Sequence, residues 1–119
     1  MDDDARILEI VTRLLEGEGY EVHSTRHSST AARMAERLRP ALAILDVSMP
    51  EKDGFELAKQ IRSRSRTSRT RVMFLTSQQT GEHIGEAKDS GALGYLQKPF
   101  KGEALLEMVK SVFSLAKSG

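Results

Sequence analysis

Apolar residues recur with helical spacing in five segments of the chain. In the first segment, the apolar side chains between Ile7 and Leu15 return every three or four residues. Asp4 stands where a helix N-cap is expected, and Gly17 and Gly19 follow the segment. The pattern therefore predicts an amphipathic helix that begins after Asp4 and ends at these glycines.

Four further segments show the same spacing with different strength. The second covers residues 28–38 and is followed by Pro40, which cannot continue a helix. The third begins near Gly54, and the last is strongly apolar from residue 105 to residue 116. The fourth predicted helix, about residues 81–90, is weak because it has few apolar positions and an internal glycine.

Short apolar runs lie between the predicted helices. Residues 41–45 and 72–75 are nearly continuous runs, which is typical of parallel strands covered on both faces. Residues 20–23 and 95–96 form shorter runs. Alternating strands and helices predict an α/β fold with a doubly wound parallel sheet. No strand precedes the first helix, although a domain of this kind usually begins with one.

Composition narrows the class of protein. The chain has 119 residues, a formal net charge of +1 and no cysteine, which indicates one domain without disulfides and predicts a cytoplasmic location. It has no apolar run long enough for a membrane span. Residues 62–71 carry five arginines but no aromatic residue, so we expect a solvated connection and no direct contact with nucleic acid.

Chemically active residues follow the predicted strands. Asp46 and Thr76 come directly after apolar runs, Lys98 follows Tyr95-Leu96-Gln97, and residues 2–4 are three consecutive aspartates. Ligands of an open parallel sheet bind outside the carboxyl ends of its strands. Carboxylates without histidine or cysteine favour Mg²⁺, and a carboxylate can attack phosphorus to form an aspartyl phosphate. The sequence therefore predicts a phosphoryl-transfer site.

Four motifs together carry a resemblance to a known family. DDD at residues 2–4, LDVSMPEKDG at 45–54, LTS at 75–77 and YLQKPF at 95–100 resemble the receiver domain of two-component response regulators. The resemblance covers essentially the whole chain. It implies a flavodoxin-like fold, with a five-stranded parallel sheet in the order 2-1-3-4-5 and five helices.

The resemblance also implies roles for individual residues. Asp46 is expected to be the phosphoacceptor. Asp3 is expected to be the main Mg²⁺ carboxylate, with Asp2 acting through water, Asp46 as a further ligand, and the backbone carbonyl of Ser48 as the third protein ligand.

Three more residues receive roles in the same way. Thr76 resembles the switch hydroxyl and Tyr95 the aromatic residue coupled to it. Lys98 is expected to hold the phosphoryl group, and the Lys98–Pro99 peptide bond is expected to be cis, as is usual in the family.

The function implied is that of a single receiver domain, residues 1–119, without an output domain. It would take a phosphoryl group from a phosphohistidine of a sensor histidine kinase or phosphotransfer protein and switch a protein-interaction surface, without being a turnover enzyme. A receiver that is not phosphorylated and serves for docking or dimerisation is the alternative. A phosphatase or mutase would place an aspartate at position 48, where Ser48 stands, and a nucleotide-binding protein would need a glycine-rich loop.

The sequence departs from the family pattern in one respect: it lacks the first strand, which the resemblance places at the centre of the sheet. Unpaired backbone groups would cost roughly 1–3 kcal/mol each. Three explanations are open: a truncated receiver, a rearrangement in which the second and third family strands pair directly, or a gap filled by a second molecule in a homodimer, which could be strand-swapped. A truncation compensated by rearrangement or dimerisation is favoured.

Overall fold

A computed structural model describes residues 1–47, 54–76 and 92–115 of the chain. The predicted fourth helix near residues 81–90 and the predicted ligand Ser48 lie outside these ranges. The elements within them, in chain order, are α1 (Ala5–Gly17), α2 (Ser28–Leu38), β1 (Leu42–Asp46), α3 (Gly54–Ser63), β2 (Arg71–Thr76), β3 (Gly94–Gln97) and α4 (Gly102–Leu115).

The three strands form one parallel sheet in the order β1-β2-β3. Asp46 of β1 pairs in register with Leu75 of β2, and Thr76 pairs with Gln97 of β3. The carboxyl ends of all three strands therefore meet at one edge of the sheet, as the sequence predicts. In the family order, these strands correspond to the third, fourth and fifth.

Helices cover both faces of the sheet, which confirms the doubly wound architecture. The side chains of β2 alternate between the faces: Val72 and Phe74 join one core cluster, and Met73 and Leu75 join the other. The first cluster packs against α2 and α3, and the second against α1 and α4. All four of these β2 side chains are almost completely buried, as expected for a strand covered on both sides.

Both ends of α1 lie where the sequence predicts them. The Asp4 carboxylate accepts a hydrogen bond from the backbone N–H of Arg6, and this bond lowers the pKa of Asp4. The helix ends at Gly17, and Gly19 adopts a φ of 92°, a conformation that residues with a Cβ rarely take. The start of α1 is thus fixed directly beside Asp2 and Asp3.

The predicted strand at residues 20–23 is wrong. This segment is extended chain without strand pairing. The N–H of Tyr20 donates to the carbonyl of Leu15 in α1, and just after the segment the carbonyl of Thr25 accepts from the N–H of Asp2. The segment does not pair with β1, so the direct pairing offered above as a rearrangement is not the arrangement seen. A strand needs a hydrogen-bonded neighbour, and here an apolar groove separates the segment from β1.

The connection between α3 and β2 is partly anchored. Its three arginines, at positions 64, 66 and 69, are exposed, as is Arg62 in the last turn of α3, which is expected for a solvated segment. Thr67 and Thr70, however, are buried, and their hydroxyls donate to the carbonyls of Ile61 and Pro40. These two bonds connect the basic segment to α3 and to Pro40, two residues before β1.

Candidate functional site

The predicted phosphoacceptor lies at the end of the edge strand β1. Asp46 is the last residue of that strand and is 1% exposed. Its backbone N–H donates to the carbonyl of Met1 at 2.9 Å, and the next residue, Val47, donates to the carbonyl of Leu75. The main chain around the carboxylate is therefore held from both sides.

Asp2 and Asp3 lie beside Asp46 at the start of α1. The carboxylate oxygens of these three residues lie within 4.8 Å of one another. Asp2 is buried, and its carboxylate accepts a hydrogen bond from the backbone N–H of Asp4 at 2.9 Å, whereas Asp3 is exposed. The structure thus brings together the three carboxylates that the sequence marked as metal ligands.

Lys98 joins these carboxylates from the end of β3. Its Nζ lies 2.5 Å from Asp2 Oδ2 and 3.6 Å from Asp46 Oδ1, and its side chain is 15% exposed. Its backbone N–H donates to the carbonyl of Thr76 at 2.6 Å, and the Lys98–Pro99 bond is cis, as predicted. The ammonium therefore sits between two buried carboxylates.

Thr76 and Tyr95 lie on the neighbouring strands. Thr76 is completely buried at the end of β2, one residue beyond the residue that pairs with Asp46. Tyr95 pairs in register with Phe74 and is half-buried. Within the described part of the chain, its hydroxyl is buried and has no hydrogen-bond partner. A polar atom in that situation is uncommon in native structures.

The amino group of Met1 is a further titratable group at this site. It donates to the carbonyl of Ile44 at 2.6 Å. Burial lowers the pKa of this amino group to about 6; the carboxylates of Asp2 and Asp46 oppose the shift and Lys98 adds to it. The site therefore combines the Lys98 ammonium with an amino group that burial shifts toward its neutral form.

The donor set fits Mg²⁺. It consists of carboxylate oxygens alone, without nitrogen or sulfur ligands, among the described residues of the cluster. Mg²⁺ is bound through one or two carboxylates and retains several waters. The exposed Asp3 provides access to solvent, and the buried Asp2 and Asp46 provide fixed negative charge.

Gly54 lies directly against the site, a contact that the sequence analysis did not predict. A Cβ at this position would lie 2.6 Å from the backbone carbonyl oxygen of Asp46 and 3.1 Å from its carbonyl carbon. The first turn of α3 therefore packs against the main chain of Asp46, the predicted phosphoacceptor. The signal was present, since glycine is a poor residue for a helix and its use at the start of α3 indicates a close approach.

We expect Gly54→Ala to lower the free energy of unfolding by about 2 kcal/mol, because the added methyl group forces the backbone of Asp46 or α3 to move. Gly17→Ala is the matched control, since a Cβ there has no atom within 4 Å. Urea denaturation of both variants measures the difference. Equal stability of the two variants would contradict the close packing described here.

The comparisons with known proteins identify the class. Residues 1–110 match the family model described as the response regulator receiver domain. The chain belongs to this family.

Individual relatives agree with that assignment. The chain is 34% identical to the DNA-binding dual master transcriptional regulator RpaA of a Synechocystis species, over 94% of this chain and 46% of that protein. It is 33% identical to the response regulator MprA of Mycobacterium leprae, over 98% of this chain and 50% of that protein. The chain therefore spans about half the length of these curated relatives.

Solved structures show the same fold. The chemotaxis protein CheY4 of Vibrio cholerae is 36% identical, with a TM-score of 0.88 and coverage of 93% of this chain and 92% of that one. A CheY-like receiver domain protein of Methanospirillum hungatei is 28% identical, with a TM-score of 0.89 and coverage of 99% and 94%.

The chain is thus a receiver domain of two-component response regulators, a family of signalling modules that accept phosphoryl groups and are not turnover enzymes. None of the described helices is long and apolar enough to cross a membrane.

Proposed function

We propose that Asp46 accepts a phosphoryl group from a phosphohistidine of a sensor histidine kinase or phosphotransfer protein, with Mg²⁺ held beside it. The observation that carries this proposal is the cluster itself: three carboxylates within 4.8 Å of one another, with Lys98 Nζ 3.6 Å from Asp46 Oδ1. Phosphoryl transfer depends mainly on positioning and charge neutralisation, and this cluster supplies both.

In the proposed step, a carboxylate oxygen of Asp46 forms a bond to phosphorus while the bond from phosphorus to the donor histidine nitrogen breaks. The leaving nitrogen takes up a proton from water. The backbone bond from Asp46 to Met1 holds the attacking residue in place. Lys98 is positioned to pair with a phosphoryl oxygen, as an ammonium acts on phosphate as a point charge.

In this proposal Asp3, Asp46 and the backbone carbonyl of Ser48 would hold Mg²⁺, and Asp2 would act through water. When bound, it supplies positive charge for the phosphoryl oxygens. Support comes from the convergence of Asp2, Asp3 and Asp46 and from their oxygen-only chemistry.

Thr76 and Tyr95 are proposed to carry the switch. The Thr76 hydroxyl would turn toward the added phosphoryl oxygens, and Tyr95 would then repack. The buried Tyr95 hydroxyl, unpartnered within the described residues, supports this role because a second position that satisfies it would be favoured. Such a change biases a two-state equilibrium of the protein surface.

The test is intact-protein mass spectrometry after incubation with acetyl phosphate and Mg²⁺. We expect a gain of one phosphoryl group in the natural chain and none in Asp46→Asn, which removes the nucleophile. Glu107→Gln, which removes an exposed carboxylate on α4, is the matched control and should be phosphorylated normally.

A phosphoryl gain that persists in Asp46→Asn would place the acceptor elsewhere. No gain in the natural chain would favour the docking module that is never phosphorylated. Omitting Mg²⁺ tests the metal separately, because phosphorylation at an unchanged rate in EDTA would leave the acceptor assignment intact and remove the metal from the proposal.

A further inference from the structure

Exposed arginines gather at the end of the molecule opposite the acidic cluster. Because the strands are parallel, their amino-terminal ends share the edge away from Asp46, about 17 Å away along the length of β2. The end of α2 and the connection between α3 and β2 lie at this edge. We call the exposed arginines of these two parts the basic end. They are Arg37, Arg39, Arg62, Arg64, Arg66 and Arg69.

Two contacts hold the two parts of the basic end side by side. Arg64 forms an ion pair with Glu36 of α2, in which the guanidinium nitrogen lies 2.8 Å from the carboxylate oxygen. The hydroxyl of Thr70 donates to the carbonyl of Pro40, just after α2, at 2.8 Å. The arginines that end α2 and those that follow α3 therefore form one surface.

The connection after α3 holds its arginines in a defined arrangement. The backbone N–H of Thr67 donates to the carbonyl of Arg64, and the N–H of Thr70 donates to the carbonyl of Thr67, so one turn follows another. Both threonines are buried, whereas Arg66 and Arg69, each one residue earlier, are exposed. Neither of these arginines has an ion pair within the described part of the chain. Their guanidinium groups are therefore available to an anion.

The charge of this surface is almost uncompensated. In residues 36–41 and 61–71, Glu36 is the only acidic residue and every cation is an arginine. The whole chain has a formal net charge of only +1, so the acidic residues that balance these arginines lie elsewhere. A surface with charge of one sign attracts a partner of the opposite sign to this end of the molecule.

The residue types at this surface favour a partner made of phosphate groups. A guanidinium forms two parallel hydrogen bonds with a phosphate, whereas a lysine ammonium acts as a point charge. Ser65, exposed between two of the arginines, adds a hydroxyl of the kind that contacts phosphate. Residues 36–41 and 61–71 contain no aromatic side chain on which a base could stack. Leu38 is their only large apolar side chain that is exposed, whereas a membrane surface is bound through a whole apolar face.

We propose that the basic end binds a linear polyphosphate chain, which carries successive phosphates and no bases. A flexible chain follows arginines from two segments around the end of the molecule. A nucleic-acid duplex is stiff over this length and would reach only part of them. Asp46 and the acidic cluster lie at the opposite edge of the sheet and take no part in the binding.

The first test is calorimetric titration with sodium polyphosphate in EDTA at several salt concentrations. If about four phosphates are neutralised, the logarithm of the binding constant should fall with the logarithm of the salt concentration with a slope of about −3. A triple variant should bind at least about tenfold more weakly at low salt, with a slope near −1. Its substitutions are Arg37→Gln, Arg66→Gln and Arg69→Gln.

A second triple variant is the matched control, since it removes the same charge from exposed positions outside the basic end. Its substitutions are Arg13→Gln, Lys101→Gln and Lys110→Gln. It should bind within about twofold of the natural chain, because phosphate contacts act over short distances in salt. No binding to the natural chain, or equal losses in the two triple variants, would overturn the proposal.

A single substitution should strengthen binding, which a loss of folding would not do. Glu36→Gln removes the only carboxylate of this surface and releases Arg64 from its ion pair. We expect polyphosphate to bind about threefold more tightly, since an exposed ion pair is worth a fraction of a kilocalorie to about 1 kcal/mol. Unchanged or weaker binding would contradict the proposal.

Other occupants are tested at equal concentrations of negative charge. Duplex DNA, poly-glutamate and vesicles that contain phosphatidylglycerol should each bind more weakly than polyphosphate. Equal or tighter binding of one of them would assign the surface to a nucleic acid, an acidic protein or a membrane, and would overturn the proposal. Asp46→Asn should bind polyphosphate as the natural chain does, so the result is independent of the proposed function.

Discussion

Lys98→Met should lower the free energy of unfolding by about 3 kcal/mol in EDTA, and by clearly less in Mg²⁺. The ammonium lies 2.5 Å from Asp2 and 3.6 Å from Asp46, and both carboxylates are almost completely buried. Methionine retains most of the side-chain packing and removes the charge, so the two carboxylates remain buried without their cation. Removing one partner of a buried ion pair costs about 3–5 kcal/mol.

Mg²⁺ should restore part of this loss, because an ion that binds only the folded state stabilises it. Urea denaturation in EDTA and at saturating Mg²⁺ gives the two values. Lys101→Met, on an exposed lysine just before α4, is the control and should change stability by less than about 0.5 kcal/mol in either condition. An identical loss for Lys98→Met in EDTA and in Mg²⁺ would show that lysine and metal do not serve the same carboxylates.

The stability of the chain should also rise with pH between pH 6 and pH 8, through the amino group of Met1. Burial lowers its pKa from 8.0 to about 6 in the folded state. Between these values the unfolded chain binds more protons than the folded chain, so protonation favours unfolding as the pH falls. The contribution is about 2–3 kcal/mol, complete above pH 8 and lost below pH 6.

Acetylation of the amino group removes this titration and keeps the N–H that donates to Ile44. The difference in unfolding free energy between the free and acetylated chains, measured in EDTA from pH 5 to pH 9, isolates the effect because all other groups are shared. A difference that does not change with pH would show that the amino group reaches solvent in the folded protein.

The residues that carry the chemistry could be found from the sequence, because the rules that place them are local. An apolar run marks a buried strand, and the polar residues at its carboxyl end lie at the sheet edge where ligands bind. That reasoning placed Asp46, Thr76 and Lys98 at one edge, where the structure has them. The aspartate cap of α1 and its glycine end are equally local features.

The close approach of Gly54 to Asp46 was not predictable in the same way. It depends on how α3 returns to the end of β1, which is a contact between segments and not a property of either one. The difference in burial between Asp2 and Asp3 was unpredictable for the same reason. Asp2 is buried and Asp3 exposed because Asp2 meets Lys98, which is 96 residues away in sequence.

Pattern alone predicted the four described helices, the three strands β1 to β3 and the polar residues at their carboxyl ends, since periodicity and polarity depend on near neighbours in the chain. The tertiary structure decided that residues 20–23 form no strand, because β pairing requires a partner, and an apolar sequence cannot supply one. It also decided that Met1, a single residue before the acidic run, pairs with β1 and closes one end of the groove. Both outcomes depend on hydrogen bonds between distant segments, whose formation only the assembled sheet determines.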